Sequence, residues 1–216
     1  MSRLRAIVFD FDGVILESAD VKTEAFSELY GEHGPDIVAR VREHHFANLG
    51  VSRFKKFEWI AQHILGTPLT PAQSEQLGAR FSELALEKVL ASPFVPGADL
   101  AIEELAARIP LFVASGTPDV ELKMIVDRRG LTRWFREVHG TPREKPVILR
   151  DVMARHQLAA SEVLFVGDGM SDHKAATEVG TEFLARETPA LHDEWVRLQV
   201  RRVPDLVDLA KVVAAW

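Results

Sequence analysis

The chain has 216 residues, of which 47% are hydrophobic, so it can bury a sizeable core in one domain or in a core carrying a smaller inserted domain. Its formal net charge of −6 argues against a broad basic face for nucleic acid. No apolar run approaches the roughly 18 residues that cross a bilayer. The sequence contains no cysteine, which excludes disulfides and thiolate chemistry. The first strand begins too early to leave room for a secretory signal, so we expect a cytoplasmic protein.

The first predicted element is a buried strand over residues 6–9, followed directly by Asp10, Asp12 and Gly13. Open α/β sheets bind ligands at the carboxyl ends of their strands. Two carboxylates a few ångströms apart repel and raise each other's pKa, and a divalent cation such as Mg²⁺ would remove that cost. The alternative is a solvated turn, because Asp and Gly are common turn residues. General rules for catalytic sites favour chemistry over a turn.

Residues 15–92 show helical spacing and no convincing strand. Thr70 and Ser18 are candidate N-caps, and Pro71 suits a first helical position. A return linker is expected over residues 93–97. The predicted helices cover residues 19–30, 36–47, 53–65 and 71–91.

The remaining sequence alternates strands with helices. Strands are predicted over residues 109–114, 163–166 and 182–185, with a weaker one over 137–140 and a short edge strand over 200–203. Helices are predicted over residues 100–108, 120–129 and 146–156, and the basic pair Arg128-Arg129 is expected to form a solvated helix end.

Such alternation is typical of a parallel sheet covered on both faces. We therefore predict an α/β fold: a Rossmann-like three-layer core with an inserted four-helix module. The core comprises residues 1–14 and 96–216, and the helical module comprises residues 15–95.

Ser115, Gly116 and Thr117 are expected directly after the second strand. Hydroxyls and free backbone N–H groups beside a helix N-terminus can hold phosphate oxygens. Helix capping by Thr117, with Pro118 in the first turn, is an equally common use of such residues. The two interpretations are compatible.

Lys145 opens a predicted helix, where a cation opposes the macrodipole but is well placed to grip an anion. Asp168 and Asp172 follow the fourth strand in a glycine-flanked turn. Asp168 is a candidate direct metal ligand, and Asp172 is a candidate for acting through water or for orienting Lys145. A simple turn with an N-cap aspartate is the alternative.

Together these groups fit phosphoryl transfer, which needs a nucleophile, a proton donor, an oxyanion binder, a lysine and a metal site. The residues expected at one edge of the sheet are Asp10, Asp12, Ser115, Lys145, Asp168 and Asp172.

Four motifs in order, Asp-x-Asp-Gly-Val, Ser-Gly-Thr, Lys-Pro and Gly-Asp-x-x-x-Asp, resemble the haloacid dehalogenase superfamily of phosphohydrolases. The inserted helices resemble the cap of its phosphoglycolate phosphatase-like and β-phosphoglucomutase-like members. The resemblance spans essentially the whole chain. True dehalogenases lack the second aspartate of the first motif, so Asp12 argues for phosphate chemistry.

The resemblance implies a role for each matched residue. Asp10 would attack phosphorus and form an aspartyl-phosphate, and Asp12 would protonate the leaving oxygen and then activate water. Mg²⁺ would be held by Asp10, the Asp12 carbonyl and Asp168, with Asp172 behind them. The phosphoryl oxygens would be neutralised by Ser115, the Gly116 N–H and Lys145.

Substrate choice in such enzymes belongs to the cap. The Gly-Val-Ser-Arg sequence ending at Arg53 resembles the cap loop of the phosphomutase branch, where the arginine grips a distal anion. Arg53 is thus a candidate substrate contact, and Lys56 is a weaker one; an exposed arginine at a helix start is the alternative. His44 and His45 lack a third ligand for zinc and are expected to pack or lie on the surface.

Three functions are compatible with this sequence. The leading one is a Mg²⁺-dependent phosphatase for a small phosphorylated metabolite, of the sugar phosphate or phosphoglycolate type, working as a monomer or homodimer without nucleic acid or membrane partners. A sugar phosphomutase is less favoured, because that branch has a histidine where this chain has Lys22, which leaves the gating of Asp12 against water in doubt. A non-catalytic phospho-acceptor protein is the third.

Overall fold

The structure is a computed structural model that describes residues 3–216. Its centre is a six-stranded, wholly parallel sheet in the order β3-β2-β1-β4-β5-β6. The strands are β1 (Ala6–Phe9), β2 (Leu111–Pro118), β3 (Glu137–Thr141), β4 (Val163–Gly167), β5 (Glu182–Arg186) and β6 (Arg202–Val203).

The central strands are apolar along their whole length because both faces of the sheet are covered. On β1, Ile7 and Phe9 belong to one hydrophobic cluster, and Ala6 and Val8 belong to the cluster on the opposite face. This is the alternation that the pleat of a strand imposes. All four side chains are fully buried, as expected for a parallel sheet between two helical layers.

The helices between β1 and β2 form the predicted all-helical segment. α1 packs against α2 and α4, and α3 packs against α2 and α4. α3 continues into a π-helical turn, Ala61–Leu65. Their bounds are α1 (Ala19–Leu29), α2 (Pro35–Ala47), α3 (Arg53–Ile60) and α4 (Pro71–Ala91).

The remaining helices cross between the strands. Their bounds are α5 (Ala98–Ala106), α6 (Asp119–Arg128), α7 (Lys145–His156), α8 (Met170–Val179), α9 (His192–Arg197) and α10 (Leu209–Ala214). The predicted α/β class is confirmed, and most predicted elements lie within two residues of the observed ones. The second strand is the exception.

The prediction ended the second strand at residue 114, but β2 continues to Pro118. Its last part pairs with β3 through Pro118 and Thr141, after a register shift that begins at Ala114. Ser115 therefore lies inside the strand, not after it. The polar and glycine residues of this stretch looked like a loop, but the neighbouring strand supplies partners for their backbone.

Of the three candidate N-caps, the structure shows a side-chain cap at one. Thr70 does cap α4, in a capping box with Gln73. Ser18 and Thr117 make no N-cap hydrogen bond from their side chains. Both hydroxyls instead donate to the carboxylate of Asp12, at 2.7 and 2.9 Å. A charged acceptor makes the stronger hydrogen bond, and here it outcompetes the local cap.

The helical segment and the sheet share one core. Phe26, Phe57 and Phe81 from the helices belong to the same buried cluster as Ile7 and Phe9 of β1. The phenylalanine rings contact each other with centroids 4.8 to 6.1 Å apart. We call residues 15–95 the helical insertion. No helix within residues 3–216 is long and apolar enough to cross a membrane.

Candidate active site

Strand register brings the polar strand ends together. Phe9, the last residue of β1, is level with Val113 of β2 on one side and with Val166 of β4 on the other. Asp10 therefore emerges between the Ser115 end of β2 and the Asp168 end of β4. This edge lies beside the central strand, where the order of strands reverses and ligand clefts form in open sheets.

Asp10 is buried and ion-paired. Its Oδ1 accepts the Phe11 N–H at 2.7 Å, and its Oδ2 lies 2.9 Å from the Nζ of Lys145. Burial, with repulsion from Asp172, outweighs the attraction of Lys145 and raises the pKa of Asp10 to about 7. Additional positive charge would therefore favour the ionised form of Asp10.

Lys145 joins two carboxylates inside the protein. Its Nζ contacts Asp10 and the Oδ1 of Asp172, and the Oδ2 of Asp172 accepts the Gly169 N–H at 3.0 Å. Burial opposes the charge of Lys145, but the two aspartates more than compensate and raise its pKa above the ordinary value. Asp172 thus both orients Lys145 and bonds the backbone at the start of α8.

Three buried carboxylates form one acidic cluster. Asp10, Asp168 and Asp172 each offer an oxygen within 4.8 Å of the other two. In residues 3–216, Asp168 has no salt-bridge partner although it is only 2% exposed. Burial and repulsion from Asp10 and Asp172 raise its pKa well above the usual range. One lysine does not balance three carboxylates, so the cluster has the composition of a cation site.

Asp12 lies beside this cluster but has its own partners. Its carboxylate accepts hydrogen bonds from Ser18, Thr117 and the Nζ of Lys22. Burial alone would raise its pKa, but the Lys22 ammonium and these hydrogen bonds hold it below the usual value. The two aspartates of the first motif therefore sit in opposite electrostatic environments, a pattern that can separate their chemical roles.

A loop of the helical insertion covers the catalytic edge. The carbonyl of Leu49 accepts a 2.7 Å hydrogen bond from Ser171. Gly50 packs so closely that an added Cβ would lie 2.7 Å from Lys145 Nζ and 3.4 Å from Asp10 Oδ2. The Gly50 carbonyl also approaches Gly116, so the insertion closes over the strand ends and leaves an internal cavity there.

Comparisons with known proteins agree with this geometry. Residues 4–180 match the family model of the haloacid dehalogenase-like hydrolases. This chain is a member of that family.

Among curated proteins, a phosphoglycolate phosphatase from Vibrio parahaemolyticus is 27% identical over 194 residues, covering 82% of this chain and 81% of the relative. A haloacid dehalogenase-like family hydrolase from Streptococcus pneumoniae superimposes with a TM-score of 0.70 at 20% identity, covering 94% of both chains. A proposed β-phosphoglucomutase from Bacteroides vulgatus gives a TM-score of 0.79 at 16% identity, covering 96% of this chain and 86% of its own. The predicted resemblance to the haloacid dehalogenase family is confirmed.

In this haloacid dehalogenase-like protein, Arg53 lies inside the molecule with its charge already paired. Its two Nη atoms donate to both carboxylate oxygens of Glu121 on α6, and one of them also donates to Ser82 at 2.8 Å. The guanidinium carbon stacks over the ring of Phe81, 4.5 Å from the centroid. Only 5% of Arg53 is exposed, so it is not a solvated helix-start arginine.

Lys56 lies deeper in the same insertion. It is 3% exposed, and its Nζ lies 3.0 Å from the Nδ1 of His45. His44 instead stacks on Trp59 at the surface, with ring centroids 3.7 Å apart. The two histidines thus diverge. Within residues 3–216, the acidic cluster is the only group of three or more His, Asp or Glu side chains whose ligand atoms are close enough to share a metal ion. It contains no histidine.

Several residues around the site carried little signal in the sequence. Lys22 was considered only as the residue at the mutase histidine position, yet it contacts both Asp12 and the hydroxyl of Thr117. Glu121 has no sequence signal, and Ser171 lies in the glycine-flanked turn without a role of its own. Their contacts join the insertion to helices more than 60 positions away in sequence, and no local pattern marks such pairs.

Proposed function

We propose that this haloacid dehalogenase-like hydrolase is a Mg²⁺-dependent phosphatase that hydrolyses a small phosphorylated metabolite through a phosphoryl group carried on Asp10. The observation that carries this proposal is the buried contact between Asp10 and Lys145 beside the under-neutralised acidic cluster. The phosphoglycolate phosphatase relative supports a phosphatase of small phosphorylated acids.

The acidic cluster fits Mg²⁺ by charge and by donor type. Asp168 is a buried carboxylate without a cationic partner, and carboxylate oxygens are hard ligands suited to this ion. Asp10 and Asp168 would supply carboxylate oxygens, and Asp12 its backbone carbonyl. Both oxygens of Asp172 already accept hydrogen bonds, which favours a supporting position. The bound ion would offset the repulsion between Asp10 and an anionic phosphoryl group.

The chain's own groups divide the remaining work. The Asp10 carboxylate attacks phosphorus, while Ser115, the Gly116 N–H and Lys145 bind the phosphoryl oxygens. Asp12, which enters the first step protonated, gives that proton to the leaving oxygen, and the resulting carboxylate takes a proton from the water that hydrolyses the aspartyl-phosphate. Such acid–base catalysis contributes about 10² to 10⁴ in rate. Lys22 lowers the pKa of Asp12, which favours the second, basic role.

We also propose that the helical insertion acts as a cap that selects the substrate and excludes water. The support is its closure over the strand ends through Leu49 and Gly50, and the placement of Arg53 and Lys56 along the cavity beneath it. Water exclusion strengthens electrostatic interactions inside a closed site. Residues 1–14 and 96–216 would form the catalytic core.

A phosphomutase remains the second candidate, because mutase-like structures share this fold. Lys22 separates the two activities. Its ammonium lowers the pKa of Asp12 and so favours the carboxylate form that activates water in the second step, whereas a mutase must keep water from its phosphoenzyme. With β-glucose 1-phosphate and a bisphosphate primer, we expect phosphate release and no isomer.

The direct test is turnover of p-nitrophenyl phosphate with and without Mg²⁺. We expect phosphate release that EDTA abolishes and that Asp10→Asn reduces at least ~1000-fold, because loss of a catalytic nucleophile has effects of this size. Asp36→Asn, an exposed aspartate on α2, is the matched control and should keep full activity. A stable phosphoryl group on Asp10 without turnover would instead indicate a phospho-acceptor protein. Near-normal turnover by Asp10→Asn would refute the nucleophile assignment.

A further inference from the structure

Four cationic side chains surround the cavity and the catalytic carboxylates, and three of them are paired with carboxylates. The pairs are Lys22 with Asp12, Arg53 with Glu121, and Lys145 with Asp10 and Asp172. Lys56 differs from these three. Within residues 3–216 no carboxylate lies within 4.0 Å of its Nζ, although 97% of the residue is buried, as its 3% exposure shows. An unpaired buried ammonium is costly and calls for an anion.

The polar partner of Lys56 is His45, and that histidine also lacks an acceptor. An ammonium group can only donate, so the Nδ1 of His45 accepts from Lys56. Burial, with repulsion from Lys56, lowers the pKa of His45 to about 2, so the ring is neutral and carries its proton on Nε2. That Nε2 atom is buried without a hydrogen-bond partner. The pair therefore presents two donor groups and no acceptor.

Both residues line the cavity that also reaches the catalytic groups. Its walls include Asp10, Asp12 and Ser115 as well as His45 and Lys56. The cavity volume is about 40 Å³. One water molecule needs roughly 10–15 Å³ by this measure, so the space holds only a few heavy atoms. A substituent that reaches Lys56 from a phosphoryl group on Asp10 must therefore be short.

We infer that Lys56 binds a second anionic group, a carboxylate, on a short phosphomonoester substrate. This inference rests on the proposed phosphatase function and narrows its substrate class. The phosphoryl group would lie at Asp10 and Lys145, and the carboxylate would accept from Lys56 Nζ, which the Nδ1 of His45 orients. A carboxylate adds only three heavy atoms beside the phosphoryl group in this small cavity, whereas a hexose phosphate would require the insertion to open.

Arg53 has a different part in this arrangement. Its guanidinium is already neutralised by both oxygens of Glu121, so a substrate anion would have to displace that contact. Lys56 has no such competitor. Burial, with repulsion from Lys22 and Lys145, lowers the pKa of Lys56 to about 7, and a bound carboxylate would offset both effects.

The experiment compares 2-phosphoglycolate with 2-hydroxyethyl phosphate, which is similar in length but lacks the second charge. We expect the wild-type protein with Mg²⁺ to prefer the carboxylate ester at least 20-fold in kcat/KM. Lys56→Met, close in volume to lysine, should reduce this preference at least tenfold, mainly through KM. Lys55→Met is the control: Lys55 is exposed on the same helix and pairs with Glu144, so the preference should be retained.

Two further arms identify the anion and its binder. If 1,3-propanediol bisphosphate is preferred over 2-phosphoglycolate, the second group is a phosphate and the carboxylate assignment is wrong. If Arg53→Met removes more of the preference than Lys56→Met, Arg53 is the anion binder and the inference fails. His45→Phe keeps a ring that packs on Phe26 but removes the Nδ1 acceptor that orients Lys56, and should weaken the preference three- to tenfold.

The controls separate this inference from the proposed function. Turnover of p-nitrophenyl phosphate with equal kcat/KM for the charged and uncharged esters would overturn the inference alone. Absence of turnover of every phosphomonoester would overturn the proposed function, and the substrate assignment with it. If Lys56→Met fails to fold, as judged by circular dichroism, the wild-type preference and the His45→Phe variant decide the question.

Discussion

At the scale of single residues, Gly13 shows how closely the site is packed. Its φ of +78° is a left-handed conformation that L side chains rarely adopt. A Cβ at this position would lie 2.1 Å from the Oδ2 of Asp168. The glycine therefore serves two purposes: it turns the chain after Asp12, and it leaves space for a buried carboxylate of the acidic cluster.

We predict that Gly13→Ala disrupts the acidic cluster beyond its effect on the backbone. The positive φ should cost about 1 kcal/mol of unfolding free energy, and the displacement of Asp168 should reduce Mg²⁺-dependent turnover at least ~100-fold. Gly66→Ala is a matched control, because Gly66 has a φ of +74° and nothing within 4 Å of its added Cβ. It should lose similar stability but keep its activity. Equal activity of the two variants would contradict the prediction.

The position of Lys22 in the sequence does not reveal which residues it contacts. Its position ten residues after Asp12 was visible in the sequence, and the absence of the mutase histidine there favoured hydrolysis. Its contacts with Asp12 and Thr117 depend on how α1 approaches β2, across 95 residues of chain. The electrostatic consequence, a lowered pKa for Asp12, therefore became visible only in the fold.

At the scale of elements, charged side chains connect the insertion to the core and strands to helices. The pair Arg128-Arg129 was expected to be solvated, and this is wrong for Arg129. Its guanidinium donates to the carbonyls of Leu90 and Ser92, at 2.7 and 2.8 Å, and stacks over Phe94. These carbonyls lie in the last turn of α4 and directly after it, where carbonyls have no partner within the helix, so the arginine satisfies them from the core side.

Glu137 ties β3 to α7. Its carboxylate accepts from Arg155 and lies 2.7 Å from ring nitrogens of His139 and His156. Partial burial alone would raise the pKa of Glu137, but these hydrogen bonds outweigh that effect and lower the pKa to about 2. Because this folded-state pKa lies below the ordinary glutamate value of 4.5, the ionised form stabilises the fold above pH 4.5, and that stability is lost as the pH falls towards 2.

We predict that Glu137→Gln lowers the free energy of unfolding on the order of 1 kcal/mol at pH 7, a value reduced for solvent screening. The difference from wild type should shrink as the pH falls from about 4.5 towards 2. Urea denaturation at a series of pH values measures it. Glu178→Gln is the control, because its pair with Arg150 is exposed and should contribute little at any pH. A constant difference across this range would show that the network acts only through packing.

At the scale of the whole molecule, burial sets the charge balance of the site. Asp10, Asp168 and Asp172 are at most 2% exposed, and among residues 3–216 their salt bridges are those of Lys145 with Asp10 and Asp172. The repulsion within this cluster is a destabilising term that the rest of the fold must offset. A bound divalent ion would convert it into a stabilising one, since ligands that bind the native state shift unfolding.

We predict that Mg²⁺ raises the melting temperature of the wild-type protein. At a hundredfold excess over Kd, the bound ion should add about 2.7 kcal/mol to the free energy of unfolding. In the absence of metal, Asp168→Asn should melt at a higher temperature than the wild type, by about 2–4 °C for each kcal/mol of repulsion that the substitution removes. Its melting temperature should change little when Mg²⁺ is added. Differential scanning calorimetry with EDTA or Mg²⁺ measures both effects, with Asp36→Asn as control. A wild-type melting temperature that does not respond to Mg²⁺ would contradict the cation site.

Local sequence patterns were enough to predict the parallel sheet, the strand ends that carry Asp10 and Asp168, and the helix start that carries Lys145. These follow from local patterns, since apolar strands, helical spacing and turn residues are properties of neighbouring positions. The same local patterns left the use of Ser18 and Thr117 open, and in the fold their hydroxyls bond Asp12 and cap no helix.

Only the tertiary structure decided which charges are paired. Whether Arg53 or Lys56 is free to meet a substrate depends on Glu121, which lies 68 residues from Arg53. Such pairing is a property of three-dimensional distance and burial, and a single sequence records neither. The sequence therefore specifies which chemical groups are available. The packing of the insertion on the core specifies which of the charged groups are paired and which can meet a substrate.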